Sequence, residues 1–111
     1  MIKENGSYQS VRDGETLTIR IRGEIDHHNA VRIRRDIDLE IYSARPKKLI
    51  FDLSSVDFMD SSGLGLILGR FASVRDVGGE LVVQNPTKNV MKILKLAGAE
   101  RILKIETVKI S

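Results

Sequence analysis

Residues Leu49–Leu53 (LIFDL) form an apolar run too short for a helix and without polar alternation. Such a run most simply builds a central strand covered on at least one face. The Ser54–Ser55 pair reads as a turn after it, and Val56–Met59 leads into DSSGLG, Asp60–Gly65. Beyond the motif Leu64, Ile67, Leu68, Phe71 and Ala72 recur at helical spacing, one apolar face of a helix reaching about Val77. A buried strand that feeds straight into an amphipathic helix restricts the chain to folds in which helices pack on a sheet.

The flanking segments extend the same alternation. Tyr8–Arg12 and Glu15–Arg22 predict a hairpin around the Asp13–Gly14 turn, and Leu17, Ile19 and Ile21 alternate with polar residues, so one face of the second strand is buried. GEID (Gly23–Asp26) closes that strand. A helix over His27–Ala44 follows, with Ala30, Ile33, Ile37 and Ile41 on one stripe and Asp26 or Asn29 as cap. Gly78 and Gly79 end the motif helix, Glu80–Gln84 is a strand, and Asn85–Pro86 breaks it. A third helix, Thr87–Ala97, turns Val90, Ile93, Leu94 and Ala97 inward and stops at Gly98, and Ile102–Glu106 is a last strand. The order β, β, α, β, α, β, α, β predicts an α/β domain over residues 1–111. Its sheet is mixed, mostly parallel with an N-terminal antiparallel hairpin, and is packed against helices.

Composition excludes several function classes. The chain has 111 residues, 41% apolar and 30% charged, which suits one globular domain. It lacks cysteine, so disulfides, thiolate catalysis and thiolate metal sites are excluded. No apolar run is long enough for a membrane span, and neither a leader nor a lipidation signal is recognisable, which predicts a cytoplasmic protein without membrane contact. The net charge is +3, but Arg32, Arg34 and Arg35 are interleaved with Asp36, Asp38 and Glu40, which reads as a solvated helix face. Aromatic residues are few and not interleaved with lysine or arginine, so direct nucleic-acid binding is not expected. The adjacent His27 and His28 project in different directions and have no HxxxH spacing, so neither a metal nor a cofactor is expected.

DSSGLG places hydroxyls at a helix start, where the first backbone N–H groups lack helical partners and the macrodipole is positive. Asp60, Ser61 and Ser62 are all candidate caps, and an isolated DSSG licenses no more than a cap or an anion site. A hydrolase with Ser61 or Ser62 as nucleophile would need a base, yet the only histidines lie in an early turn and the motif is not GxSxG. A phospho-aspartate receiver could use Asp52, but the acidic pair expected after its first strand is missing and the N-terminal hairpin does not suit its topology. No residue is assigned a catalytic role.

The segment LIFDLSSVDFMDSSGLGLILGR, then GGELVV and a VMKILKLAG helix, resembles the STAS family, whose stand-alone members are anti-anti-sigma factors. GEIDHH at Gly23–His28 together with FMDSSGLGLILGR at Phe58–Arg70 is most similar to the sporulation-type antagonists of an anti-sigma-F factor. General-stress antagonists and signalling-scaffold members share the DSSG helix. The resemblance implies a protein whose unphosphorylated form binds an anti-sigma factor serine kinase and so frees a sigma factor. It further implies that the kinase phosphorylates the first serine of DSSG, here Ser61, and that a serine phosphatase reverses it. The acidic residue of the GEID turn, Asp26, is implied as a contact to the kinase, although capping accounts equally for that carboxylate. Asp26, Asp60, Ser61, Ser62, Gly63, Leu64 and Gly65 are thus the candidate partner-binding residues. Gly63 and Gly65 would let a partner backbone approach closely, and Leu64 would supply an apolar anchor.

Overall fold

A computed structural model describes residues 2–5 and 8–108. Residues 1, 6, 7 and 109–111 of the expected 1–111 domain lie outside them. The elements in chain order are β1 (Ile2–Asn5), β2 (Tyr8–Asp13), β3 (Thr16–Ile25), α1 (His27–Ala44), β4 (Lys48–Met59), α2 (Ser61–Asp76), β5 (Glu80–Gln84) and α3 (Lys88–Leu96), then a 3-10 turn (Ala99–Arg101) and β6 (Lys104–Glu106). Six strands form one sheet in the order β1-β2-β3-β4-β5-β6. The β1–β2 and β2–β3 pairs are antiparallel, and β3 to β6 run parallel. The mixed, mostly parallel sheet is therefore as expected, with one antiparallel strand more than the hairpin alone; β1 has no counterpart in the sequence reading.

Alternation along the strands builds the core. Leu17, Ile19 and Ile21 of β3, Leu49, Phe51 and Leu53 of β4, and Leu81 and Val83 of β5 are buried in one cluster with Ala30, Ile33, Ile37 and Ile41 of α1. Helices α1 and α2 pack side by side, while α3 packs on β4 and on the 3-10 turn. Tyr8 Oη and Ser10 Oγ of β2 both donate to the Glu40 carboxylate of α1, at 2.9 and 2.6 Å, tying the antiparallel edge to the helix layer.

Four expectations are corrected. Ser54–Ser55 is not a turn: β4 runs unbroken through it as a twelve-residue strand. The β3–β4 register slips twice, with Arg20 opposite Asp52 but Arg22 opposite Ser55, and Gly23 opposite Val56 but Glu24 opposite Phe58. Each slip adds one residue to β4, the signature of a bulge. Asp52 Oδ1 accepts from both the Ser54 N–H (3.0 Å) and its hydroxyl (2.7 Å), so the polar residues that resembled a turn serve the first irregularity instead.

The buried stripe of α2 is also phased differently. Gly63, Leu66, Ile67, Arg70, Ser73 and Val74 face the core, Leu64, Leu68 and Phe71 are partly buried at its margin, and Ala72 is exposed. The arginine and serine on this stripe hid it from an apolar count. Arg70 is 5% exposed, and its Nε lies 2.8 Å from Asp38 Oδ1 of α1. The N–H vectors miss the oxygen, so the pair is held by charge without a directed hydrogen bond. Burial pushes the Arg70 pKa down, Asp38 pulls it back up, and Arg34 adds to the lowering. In α3 the ends Thr87 and Ala97 are caps, Val90 and Leu94 are buried, and Ala97 is exposed; Ala99 in the following turn takes the inward place. The last strand is shorter than Ile102–Glu106, because Gly98 in the left-handed region (φ 72°) starts the 3-10 turn, which delays it to Lys104.

Candidate functional site

The parallel strands β3, β4 and β5 all end at one rim of the sheet, and α1, α2 and α3 all start there. Asp26 follows β3 and Asp60 follows β4, and the last paired residues of those strands, Ile25 and Met59, are partners in register. The Asp60 N–H donates to Ile25 O at 3.3 Å, so the two N-caps are fastened side by side. Thr87 caps α3 at the same rim, and its hydroxyl also donates to Val56 O of β4 at 3.1 Å. The carboxyl ends of parallel strands are where α/β sheets ordinarily place a binding site.

The α1 cap is a reciprocal box. Asp26 Oδ1 accepts from the N–H groups of His28 (3.0 Å) and Asn29 (3.1 Å), and Asn29 Oδ1 accepts from the Asp26 N–H (3.0 Å). Both residues proposed as alternative caps thus act together. The box employs one carboxylate oxygen of a half-buried Asp26.

At α2, Asp60 is the cap, and its Oδ1 accepts from the Ser62 N–H at 2.8 Å. Its carbonyl accepts from Gly63 and Leu64, so three N–H groups of the first turn are taken within the cap, leaving that of Ser61. Ser61 is the first helical residue and is exposed. Its hydroxyl has no part in the cap, which removes the bland explanation for a serine at this position.

The rest of the motif separates into two groups. Ser62 and Leu64 are half-buried, and Gly65 is exposed with nothing within 4 Å of where a Cβ would stand. Gly63 faces the other way. It is buried, and a Cβ there would overlap the Met59 side chain and stand 3.2 Å from Ile25 Cγ2. Its smallness serves the seating of α2 on β3 and β4, and it offers a partner no surface. Ser61, Ser62, Leu64 and Gly65, with the two capping aspartates, are the members that the fold brings together at the rim.

Of three further neighbours at this rim, sequence reasoning missed Glu24 and Phe58. Asp57 and Glu24 are exposed at the same rim, and Phe58, directly opposite Glu24 in register, is 47% exposed. The second irregularity of β4 turns Phe58 outward and Met59 inward. The signal was present in two consecutive large apolar residues at a strand end, since both cannot face the core. The rim therefore combines an exposed aromatic ring, a serine hydroxyl and the carboxylates of Glu24, Asp26, Asp57 and Asp60. Among the described residues no group of three or more histidine or acidic side chains is placed to hold a metal, and no helix is long and apolar enough to cross a membrane.

The family model for the STAS domain matches residues 7–109. An anti-sigma F factor antagonist of Lysinibacillus sphaericus is 38% identical over 84 residues, covering 76% of this chain and 72% of the relative. An anti-sigma-B factor antagonist of Listeria monocytogenes is 31% identical over 99 residues, covering 88% of this chain and 85% of the relative. Among solved structures, the anti-sigma factor antagonist SpoIIAA in its unphosphorylated form superposes with a TM-score of 0.81 at 32% identity, covering 92% of this chain and 88% of that one. The phosphorylated form of the Bacillus cell fate determinant SpoIIAA gives a TM-score of 0.75 at 31% identity, covering 92% and 91%.

Proposed function

The chain belongs to the STAS domain family, and on that footing we propose that it is an anti-sigma factor antagonist, a regulatory binding protein and not an enzyme. Its unphosphorylated form binds an anti-sigma factor that is itself a serine kinase, and a sigma factor is released. Phosphorylation of Ser61 by that kinase ends the interaction, and a serine phosphatase restores it. The protein acts in the cytoplasm and affects transcription through its partner, without contacting nucleic acid.

The observation that carries this reading is Ser61 itself: exposed, first in its helix, and relieved of capping by Asp60. That a relative has been solved with and without phosphate supports it. A phosphoserine brings about −1.5 to −2 charge and three acceptor oxygens. Inside the fold the helix N-terminus offsets part of that charge. The phosphoserine's repulsion from the four carboxylates of the rim is screened by water in the free protein, so the added charge tells chiefly where a partner would exclude that water. An unpaired, desolvated dianion in an interface costs on the order of 2–5 kcal/mol, about thirty- to several-thousand-fold in affinity. The higher identity to the sigma-F antagonist supports the sporulation type. The longer match to the sigma-B antagonist favours a general-stress antagonist as second reading.

Incubation with the kinase and ATP, followed by fragment mass spectrometry, tests the assignment. Phosphate is expected on Ser61, and phosphate on Ser62 or elsewhere would refute it. Ser61→Ala should stay folded, bind the kinase and resist modification, while Ser61→Asp should bind at least about thirtyfold more weakly.

A further inference from the structure

Two of the three acids interleaved with the arginines of α1, Asp38 and Glu40, are bound by side chains of other elements. Glu40 is held by Tyr8 and Ser10, and Asp38 pairs with Arg70 while keeping 30% of its side chain exposed at the groove. Arg34 and Arg35 stay exposed. Between the arginines α1 shows solvent an apolar stripe at helical spacing: Val31, Leu39, which is 66% exposed, and Tyr42. These side chains line a groove of about 550 Å³ on the outer side of the helix. Beneath it the Arg70 guanidinium is paired with Asp38, so the positive charge at the groove comes from Arg34 and Arg35.

We propose that this face of α1 docks an acidic amphipathic helix of a protein partner, with that helix's apolar side on Val31, Leu39 and Tyr42 and its carboxylates on Arg34 and Arg35. Charge complementarity selects this occupant. A second copy would set arginine against arginine. A nucleic acid has phosphates for the arginines but no use for Val31 and Leu39, and Tyr42 is tethered through its hydroxyl to Asp76 at 3.1 Å. The stripe begins at Val31, about 8 Å along the helix from Asp26, and ends at Tyr42, about 24 Å from it, given about 1.5 Å of rise per residue, so its Leu39–Tyr42 end is clear of the rim. It requires no phosphorylation of Ser61.

Fluorescence anisotropy with a labelled 18-residue Leu/Glu amphipathic peptide tests the proposal. Its controls are the same peptide with Lys for Glu, and single-stranded and duplex DNA. The Glu peptide should bind, and Leu39→Ala and Arg35→Glu should each weaken it at least tenfold, while Ser61→Asp leaves it unchanged. Both altered side chains are exposed, and circular dichroism checks that the variants are folded. Equal binding of the Lys peptide, stronger binding of DNA, or no binding at millimolar Glu peptide would overturn the proposal. So would a concentration-dependent dimer, seen by light scattering, that Leu39→Ala abolishes.

Discussion

The two glycines of DSSGLG should respond to the same substitution with opposite sign. Gly65 is exposed, its Cβ position is empty within 4 Å, and its φ lies outside the left-handed region, so Gly65→Ala collects the full helix-propensity gain of about 1 kcal/mol. Gly63→Ala gains the same amount but drives a methyl into the fully buried Met59 side chain and close to Ile25 Cγ2. Overpacking of that kind costs about 2 kcal/mol, leaving a net loss of about 1. The variants should thus differ by about 2 kcal/mol, or about 8 °C in melting temperature for a domain of this size. Urea unfolding followed by circular dichroism measures this directly, with equal slopes confirming that the denatured states are alike. The cause is isolated by Met59→Ala, which alone costs about 2–4 kcal/mol by leaving a cavity. In that background the methyl at position 63 enters vacated space, so the double variant should be about 1–2 kcal/mol more stable than additivity predicts. Equal shifts for the two glycines, or strict additivity with Met59→Ala, would refute the packing argument.

Asp26→Asn separates the two roles of that residue, because asparagine caps as well as aspartate but carries no charge. Stability should stay within about 0.5 kcal/mol in urea while affinity for the kinase, by titration calorimetry, falls; unchanged affinity leaves Asp26 as a cap alone. Phe58→Ala should weaken the same interaction by about 2 kcal/mol, roughly thirtyfold, with little change in melting temperature, and a purely structural Phe58 would reverse that pattern. Asp38→Ala should destabilise the fold by about 2–3 kcal/mol by leaving the Arg70 charge buried without its counter-ion, and Arg70→Met in that background should recover most of the loss. An Asp38→Ala protein as stable as the parent by urea unfolding would mean that the pair holds nothing.

Where one physical signal dominated, the fold was legible in the sequence. The α1 stripe of Ala30, Ile33, Ile37 and Ile41 and the alternation of Leu17, Ile19 and Ile21 are unmixed patterns, and both are buried as expected. Legibility failed where one residue carried two messages. Ser54 and Ser55 signal a turn by composition, yet lie inside β4 because its pairing with β3 continues past them to Met59 and outweighs local preference. Arg70 signals solvent, yet faces the core because Asp38 on a neighbouring helix accepts its charge, a partner that no local reading reveals. At the rim, the capping aspartates and the serine could be read from their positions before the helices. Phe58 could be read only in part: the Phe58–Met59 pair requires one of the two to face outward, and where β4 slips against β3 decides which. Gly63 and Gly65 look alike in sequence and differ only in what lies beneath them.

The strand order of the sheet repeats the order of the chain. Among the described residues no strand is inserted between two earlier ones, so each finds its neighbour already present when it arrives. The antiparallel part closes through short connections, and each parallel crossover spans only about 20 residues. Loop-closure entropy therefore rises in small, similar steps, without one large closure that must precede the rest. A chain emerging from the ribosome can lay this sheet down from one edge to the other, completing it with the three residues of β6. That last strand is short enough to offer other chains little edge on which to pair.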